Sequence, residues 1–429
     1  MSKKKTEYRN PWFWVPSLYY AEGIPYVIVM TVSVIMYKRL DISNTDIALY
    51  TSWLYLPWVI KPLWSPFVDI VGKKRNWIIW MQLLLGGGLA GVALTLPLSE
   101  FFQYSLAFLW LLAFSSATHD IAADGFYMLG LTERDQAFFV GIRSTFYRLA
   151  MITGQGLLVI LAGFLETSTS SIPLAWSITF FILAGLFLAF FVYHKFILPY
   201  PKIDMPARRD KSEPILAEFV KTFVVFFKRK EIGLILAFIL LYRLAEAQLV
   251  KIASPFLLDS KEAGGIGLTT SEIGLVYGTI GVSCLTLGGI IGGIVIAKKG
   301  LKYWLWPMVL AINVPDVVYV ILAYTQISNL FFVSFLVALE QFGYGFGFTA
   351  FMLYLIYISE GQYKTSHYAI ATGFMALGMM LPGMWSGWLQ ELIGYKLFFI
   401  WVCIATIPGF ILAKIVKVDP EFGVKSIPK

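Results

Sequence analysis

Apolar windows of about twenty residues recur along the whole chain, separated by short clusters of charged residues, Pro and Gly. Each window is long enough to cross about 30 Å of hydrocarbon as a helix rising about 1.5 Å per residue. The pattern predicts twelve spans, over 12–37, 46–67, 76–97, 102–128, 138–163, 173–197, 232–257, 272–297, 302–325, 330–358, 367–392 and 395–417. The opening Met1-Ser2-Lys3-Lys4-Lys5 has the charge of a signal-peptide start. The apolar run behind it is too long and lacks a small-x-small cleavage site, which predicts an uncleaved anchor. The fold class expected is all-α integral membrane. Composition agrees: 58% of the 429 residues are hydrophobic and 14% charged, where globular chains average about 25% charged.

The longest polar interval, 198–230, divides six spans from six. It predicts a six-helix bundle over 1–197, a cytoplasmic linker over 198–230 and a second six-helix bundle over 231–429. Within the linker, Ile215 to Phe227 reads as an amphipathic helix on the cytoplasmic surface. The net charge of +8 follows topology and does not call for nucleic acid. Lys3 to Lys5 and Arg9 precede span 1, Lys73, Lys74 and Arg75 follow span 2, and the stretch from Lys195 to Lys230 follows span 6. Lys298, Lys299 and Lys302 follow span 8, and Lys414 and Lys417 close span 12. All fall on one side if both termini are cytoplasmic, as the positive-inside rule requires. Cys284 and Cys403 lie inside apolar spans with no ligand at metal spacing, and His119, His194 and His367 form no cluster in sequence. No phosphate-binding loop, dinucleotide fingerprint or nucleophile elbow is present. Neither a cofactor nor a metal is expected, and an enzyme is not.

The residues carry a resemblance. The basic turns Asp69-Ile70-Val71-Gly72-Lys73-Lys74-Arg75 and Lys298-Lys299-Gly300-Leu301-Lys302 look like those of the major facilitator superfamily. Within it, several segments resemble the AmpG-type muropeptide permeases: Leu56 to Asp69, His119 to Phe126, Gly141 to Met151, Tyr242 to Ala247, and Thr270 to Gly274. The resemblance covers most of the membrane region and is strongest from about 45 to 160. It implies two pseudo-symmetric six-helix halves, in which spans 1, 4, 7 and 10 line a central cavity, and proton-driven import of anhydromuropeptides. Twelve spans are expected here, whereas some members of the family carry additional hydrophobic helices.

Intramembrane charges are costly, about 2.5–3.5 kcal/mol each on insertion scales, and so mark function by default. Glu22 in span 1, Asp120 and Asp124 in span 4, Arg243 and Glu246 in span 7, and Glu340 with Gln341 in span 10 are deep. Asp120 and Asp124 stand four residues apart on one helix face. Reflecting span 4 through the turn at Glu133-Arg134 sets Asp120 level with Arg148 and Asp124 level with Arg143 in span 5. These are either structural ion pairs or a relay in which losing the arginine lets the carboxylate take a proton. Proton coupling is therefore assigned to Asp120, Asp124, Arg143, Arg148 and Glu246. Substrate binding is assigned to Glu22, Tyr147, Arg243, Lys251, Glu340 and Gln341, and gating to Asp69, Lys73, Lys74 and Arg75. Tyr19, Tyr20, Tyr344 and Tyr354 are further rings able to stack on sugars. Arg243 and Glu246, at i,i+3, can also simply neutralise one another, and Lys61 can snorkel. Asp316, after Asn313 and Pro315 in span 9, reads as support for a kink.

The expected protein is a monomeric secondary transporter of a bacterial inner membrane, whose partners are a small-molecule solute, protons and lipid. Another oligosaccharide, a peptide or acetyl-CoA is the alternative cargo. A membrane-embedded acyl or glycosyl transferase is the rival class, disfavoured because the charges are spread over both halves.

Overall fold

The computed structural model describes residues 8–205, 215–361 and 363–424, with the side chains of Asp69, Glu133, Ala137, 215–219 and Thr365 outside that description. Lys3, Lys4, Lys5 and most of the central linker's charges also lie outside the described residues, as does the Asp69 side chain assigned to gating. The described chain is helical, with ten helices long and apolar enough to cross a membrane.

Two of the twelve expected spans are hidden in that count for geometric reasons. Span 2 is broken at Leu54 and Tyr55 into Asn44–Trp53 and Leu56–Val71, each too short to cross alone. Spans 11 and 12 run together as Ser366–Ile415, but Gly394 inside them has φ 75° and ψ 164°. That conformation interrupts a helix and is one that glycine adopts at little cost. The other spans lie within a few residues of expectation, from Pro11–Arg39 and Lys74–Thr95 to Leu301–Thr325 and Leu330–Ser359. The helix expected within the linker is present as Ile215–Phe227.

Contacts divide the chain into two compact units. The first comprises 1–36 and 63–211; the second comprises 37–62 and 212–429. In the first unit, span 3 approaches span 4 through Gly88 and Gly91, where a Cβ would meet Leu112 and Phe108. Small residues let membrane helices approach until dispersion contacts replace the missing hydrophobic drive. In the second unit Gly288 and Gly345 bring span 8 onto span 10, and Gly343 and Gly347 bring span 10 onto span 9. Phe226 and Phe227 of the linker helix pack on His367 and Phe374 of span 11. Arg229 donates to the carbonyls of Ile358 and Glu360 at the end of span 10 and bonds His367 Nδ1 at 2.6 Å.

Several spans are irregular where polar residues cluster. Span 1 widens to a π-type turn over Ile28–Val32, just after Pro25. Span 7 stops at Leu241 and restarts at Leu244, with Arg243 at φ −112° and ψ 24°. Span 9 tightens to a 3-10 turn over Val314–Asp316 behind Pro315. Such breaks persist inside a membrane where protein, side chains or water re-satisfy the backbone.

Candidate functional site: two buried charge clusters

In the first unit, the Gly23 position lets span 1 sit directly on span 5, since a Cβ there would meet the Tyr147 carbonyl and Ala150. That approach carries Tyr19 to the facing charges of spans 4 and 5. Arg143 Nη1 pairs with Asp124 Oδ1 at 3.0 Å. The Tyr19 hydroxyl donates to the same oxygen at 3.0 Å and accepts from Arg143 at 2.9 Å. The guanidinium also lies over the rings of Tyr19 and Tyr127, at 4.9 and 5.0 Å. Glu22, one turn beyond Tyr19, is buried and faces both Tyr19 and Arg143. The Arg143–Asp124 pair drawn from the hairpin geometry is thus present.

Its expected partner pair is not. Arg148 makes no ion pair with Asp120 among the described residues; burial is its dominant influence. The reason is helical rotation: five residues turn the side chain by roughly 140°, so Arg143 and Arg148 cannot share one face. Asp120 lies instead near His119 and Tyr147.

A second polar chain in this unit had no counterpart in the sequence reading. Ser17 Oγ bonds His194 Nε2 at 2.9 Å, His194 Nδ1 bonds Gln82 Oε1 at 2.9 Å, and Gln82 Nε2 bonds His119 Nε2 at 3.1 Å. His119, His194 and Gln82 are fully buried. Three histidines scattered in sequence become two joined through one glutamine, which no spacing rule signals.

Of the gating residues, Lys73 precedes the first turn of span 3. The Lys74 and Arg75 amides both donate to the buried Asp204 carboxylate, at 2.8 and 3.1 Å. Asp204 therefore caps the orphan donors of that helix start, a role the sequence reading gave to no residue. The Arg75 side chain turns to the Lys195 carbonyl at 2.5 Å and over the Tyr200 ring at 3.8 Å.

In the second unit Arg243 stands at the break of span 7, donates to the Tyr344 hydroxyl and covers the Phe348 ring at 4.7 Å. It also faces Glu246. Lys251 is wholly buried, donating to Thr51 Oγ1 at 2.9 Å beside the Tyr55 ring. Glu340 Oε2 accepts from Gln341 at 2.9 Å and from Tyr319 at 3.4 Å. Glu246, Asp316 and Glu340 each place a carboxylate oxygen within 4.8 Å of the others. Among the described residues this is the group whose spacing admits a metal ion. Tyr319 and Gln341 point hydrogens and not lone pairs at Glu340, which suits a metal there poorly.

Asp316 corrects a sequence reading. It sits at the expected kink, but its carboxylate bonds none of the freed backbone; Asn313 does that, donating to the Val309 carbonyl at 2.8 Å. A deep acid whose span holds a single base, Lys302, at its far end was the available signal. The link between spans 1 and 2 adds a ring of side chains that the sequence reading also missed. Lys38 pairs with Asp259 at 2.7 Å, Tyr395 donates to Asp259 at 2.5 Å, Asn44 donates to Tyr395 at 2.8 Å, and Lys38 donates to Asn44 at 3.0 Å.

Comparison with known proteins bears on the family and the fold. The Major Facilitator Superfamily model matches residues 19–354, and the chain belongs to that superfamily. The anhydromuropeptide permease of Escherichia coli is 24% identical over 94% of this chain and 79% of its own length. A Rickettsia conorii protein described as transporter AmpG 4 is 26% identical over 91% and 92%. Among solved structures, nucleoside transporter NupG superposes with a TM-score of 0.68 at 15% identity, covering 94% of this chain and 98% of that one. The Escherichia coli xylose transporter XylE, captured inward open, reaches 0.68 at 13% identity, covering 94% and 95%. The chain is therefore an integral membrane protein of the Major Facilitator Superfamily, with AmpG-type permeases among the proteins it is similar to.

Proposed function

We propose that the chain imports a sugar-containing cell-wall fragment, an anhydromuropeptide or related glycoconjugate, across a bacterial inner membrane together with protons. Both termini are cytoplasmic and the working unit is a monomer of two six-helix halves, 1–197 and 231–429, joined by 198–230. The observation that carries the reading is the likeness to the anhydromuropeptide permease along 94% of the chain. The chemistry is compatible. A muropeptide offers carboxylates, amides and sugar faces; Arg243 offers a guanidinium fork beside the Tyr344 and Phe348 rings. Guanidinium groups bind carboxylates in two-point fashion, and rings cover apolar sugar faces. Glu22, Tyr147, Lys251, Glu340 and Gln341 complete the candidate set for solute, and Asp120, Asp124, Arg143, Arg148 and Glu246 that for coupling.

The test is uptake of labelled anhydromuropeptide into proteoliposomes under an imposed pH gradient. One proton moving across about 100 mV supplies about 2.3 kcal/mol, enough for roughly fortyfold accumulation. A protonophore is expected to abolish that accumulation; undiminished accumulation without any ion gradient sinks the coupling. Uptake of a free peptide, another oligosaccharide or acetyl-CoA in its place moves the cargo to that class. A chemically altered solute inside the vesicles replaces the carrier with a transferase.

A further inference from the structure

Glu246 is 4% exposed, Asp316 1% and Glu340 1%. Three carboxylates whose oxygens lie within 4.8 Å of one another cannot all carry charge in a medium of low dielectric, because each pair repels strongly and none is solvated. Something positive must sit between them. A second observation says where. The Glu246 and Asp316 carboxylates form no hydrogen bond among the described residues, and each leaves an oxygen buried without a partner. Both are aimed into the cluster by helix breaks, Glu246 by the restart of span 7 at Leu244 and Asp316 by the 3-10 turn at Pro315.

Among the described residues, donors and neutral groups surround the cluster. Arg243 faces Glu246 from the break of span 7. Tyr277 of span 8, Tyr319 of span 9 and Gln341 of span 10 face Glu340, and Cys403 of span 12 faces Asp316. Arg243 supplies one positive charge against three acids. A calcium ion wants six or more oxygen ligands, whereas the cluster brings three carboxylates, and Tyr319 and Gln341 already donate to Glu340 Oε2.

We infer that Glu246, Asp316 and Glu340 form a shared proton-binding centre, in which the coupled proton is carried as an O–H on one carboxylate and hydrogen-bonded to the unpartnered oxygen of its neighbour. This rests on the proton-coupled reading above and adds to it the place where the second unit holds the proton. One O–H bond forms on loading and the same bond breaks on release to water; no other bond changes. Arg243 sets the load: its guanidinium favours the charged form of Glu246 against burial, and the three acids share the proton. A solute carboxylate that draws Arg243 away leaves Glu246 without its cation, so solute binding and proton binding favour one another.

Two measurements test this separately from the transport reading. Infrared spectra of the purified wild-type protein at neutral pH need no solute. They are expected to contain the carbonyl stretch of a protonated carboxylic acid, which weakens in Asp316→Asn and shifts in Tyr319→Phe, because Tyr319 donates to Glu340. A wild-type spectrum lacking that band, or a band untouched by both variants, overturns the inference. In vesicles driven by about 100 mV, Asp316→Asn is expected to cut accumulation from roughly fortyfold to about onefold, while any remaining downhill entry carries no protons. Full gradient-driven accumulation in Asp316→Asn, or accumulation that follows sodium in place of protons, overturns it. Failure of the wild type to take up any muropeptide defeats the transport reading alone and leaves the infrared result to decide the proton centre.

Discussion

Asp124 of the first unit and Asp316 of the second are both acids inside membrane spans, and they are housed differently. Asp124 meets an arginine at 3.0 Å, shares a tyrosine hydroxyl with it, and keeps 45% of its side-chain surface exposed. Asp316 meets two other carboxylates and is 1% exposed. A matched pair that keeps contact with its surroundings is electrically complete and worth little; a buried surplus of one sign is incomplete until a cation arrives. The comparison explains why a balanced pair alone is a weak indicator of coupling. A centre that must exchange a proton needs a state in which charge is not already cancelled.

The largest expected difference between the two clusters is in stability. Arg243→Gln removes a buried guanidinium that donates to the Tyr344 hydroxyl, and about 1–3 kcal/mol is expected to be lost. Arg143→Gln breaks a pair whose arginine is 32% exposed, and about 0–1 kcal/mol is expected. Thermal melting of the two purified variants checks this, and equal losses would break the contrast between a dry and a wetter cluster.

A second variant sharpens it by asking what a complete buried network is worth. Gln82→Leu severs the Ser17–His194–Gln82–His119 chain and orphans a ring nitrogen on each histidine. A loss of about 2–3 kcal/mol in all is expected from the desolvated donors and acceptors. A melting point within error of wild type would mean that water replaces the glutamine.

The smallest effect is expected at the membrane surface. Lys417 pairs with Glu231 at 2.5 Å while 77% exposed, and its ammonium holds the Glu231 carboxyl below the usual carboxylate range. Any stabilisation from a lowered carboxylate is present above that range and lost as pH falls through the lowered value. Because solvent screens the pair, Lys417→Ala is expected to leave the melting temperature unchanged between acid and neutral pH. A pH-dependent drop there would show that the contact between the start of span 7 and the chain after span 12 matters more than its exposure suggests.

Much of this molecule is legible in one dimension because the bilayer sets a one-dimensional rule. A span must be about twenty apolar residues long, so span positions follow from residue order alone. The i,i+4 placement of Asp120 and Asp124 on one face follows from helical period, and the hairpin reflection found Arg143 because antiparallel neighbours share depth. The same reflection failed for Arg148, since depth is one coordinate and rotation about the helix axis is another. Span 9 shows the limit from the other side. Asn313, Pro315 and Asp316 read as one kink, yet the amide serves the backbone and the acid turns away from it.

Residue order by itself determined the membrane class, the apolar helices long enough to cross, the helix at Ile215–Phe227 and which acids lie within those apolar helices. Each of these depends on composition within a window or on local period. Tertiary structure alone decided that Glu246, Asp316 and Glu340, drawn from spans 7, 9 and 10, meet within 4.8 Å. It also decided that Asp204 caps span 3 and that Gln82 joins two distant histidines. Those meetings depend on how each helix is rotated and how closely glycines such as Gly343 and Gly347 let neighbours approach. Rotation and approach are set by packing over every contact at once, which no single segment encodes.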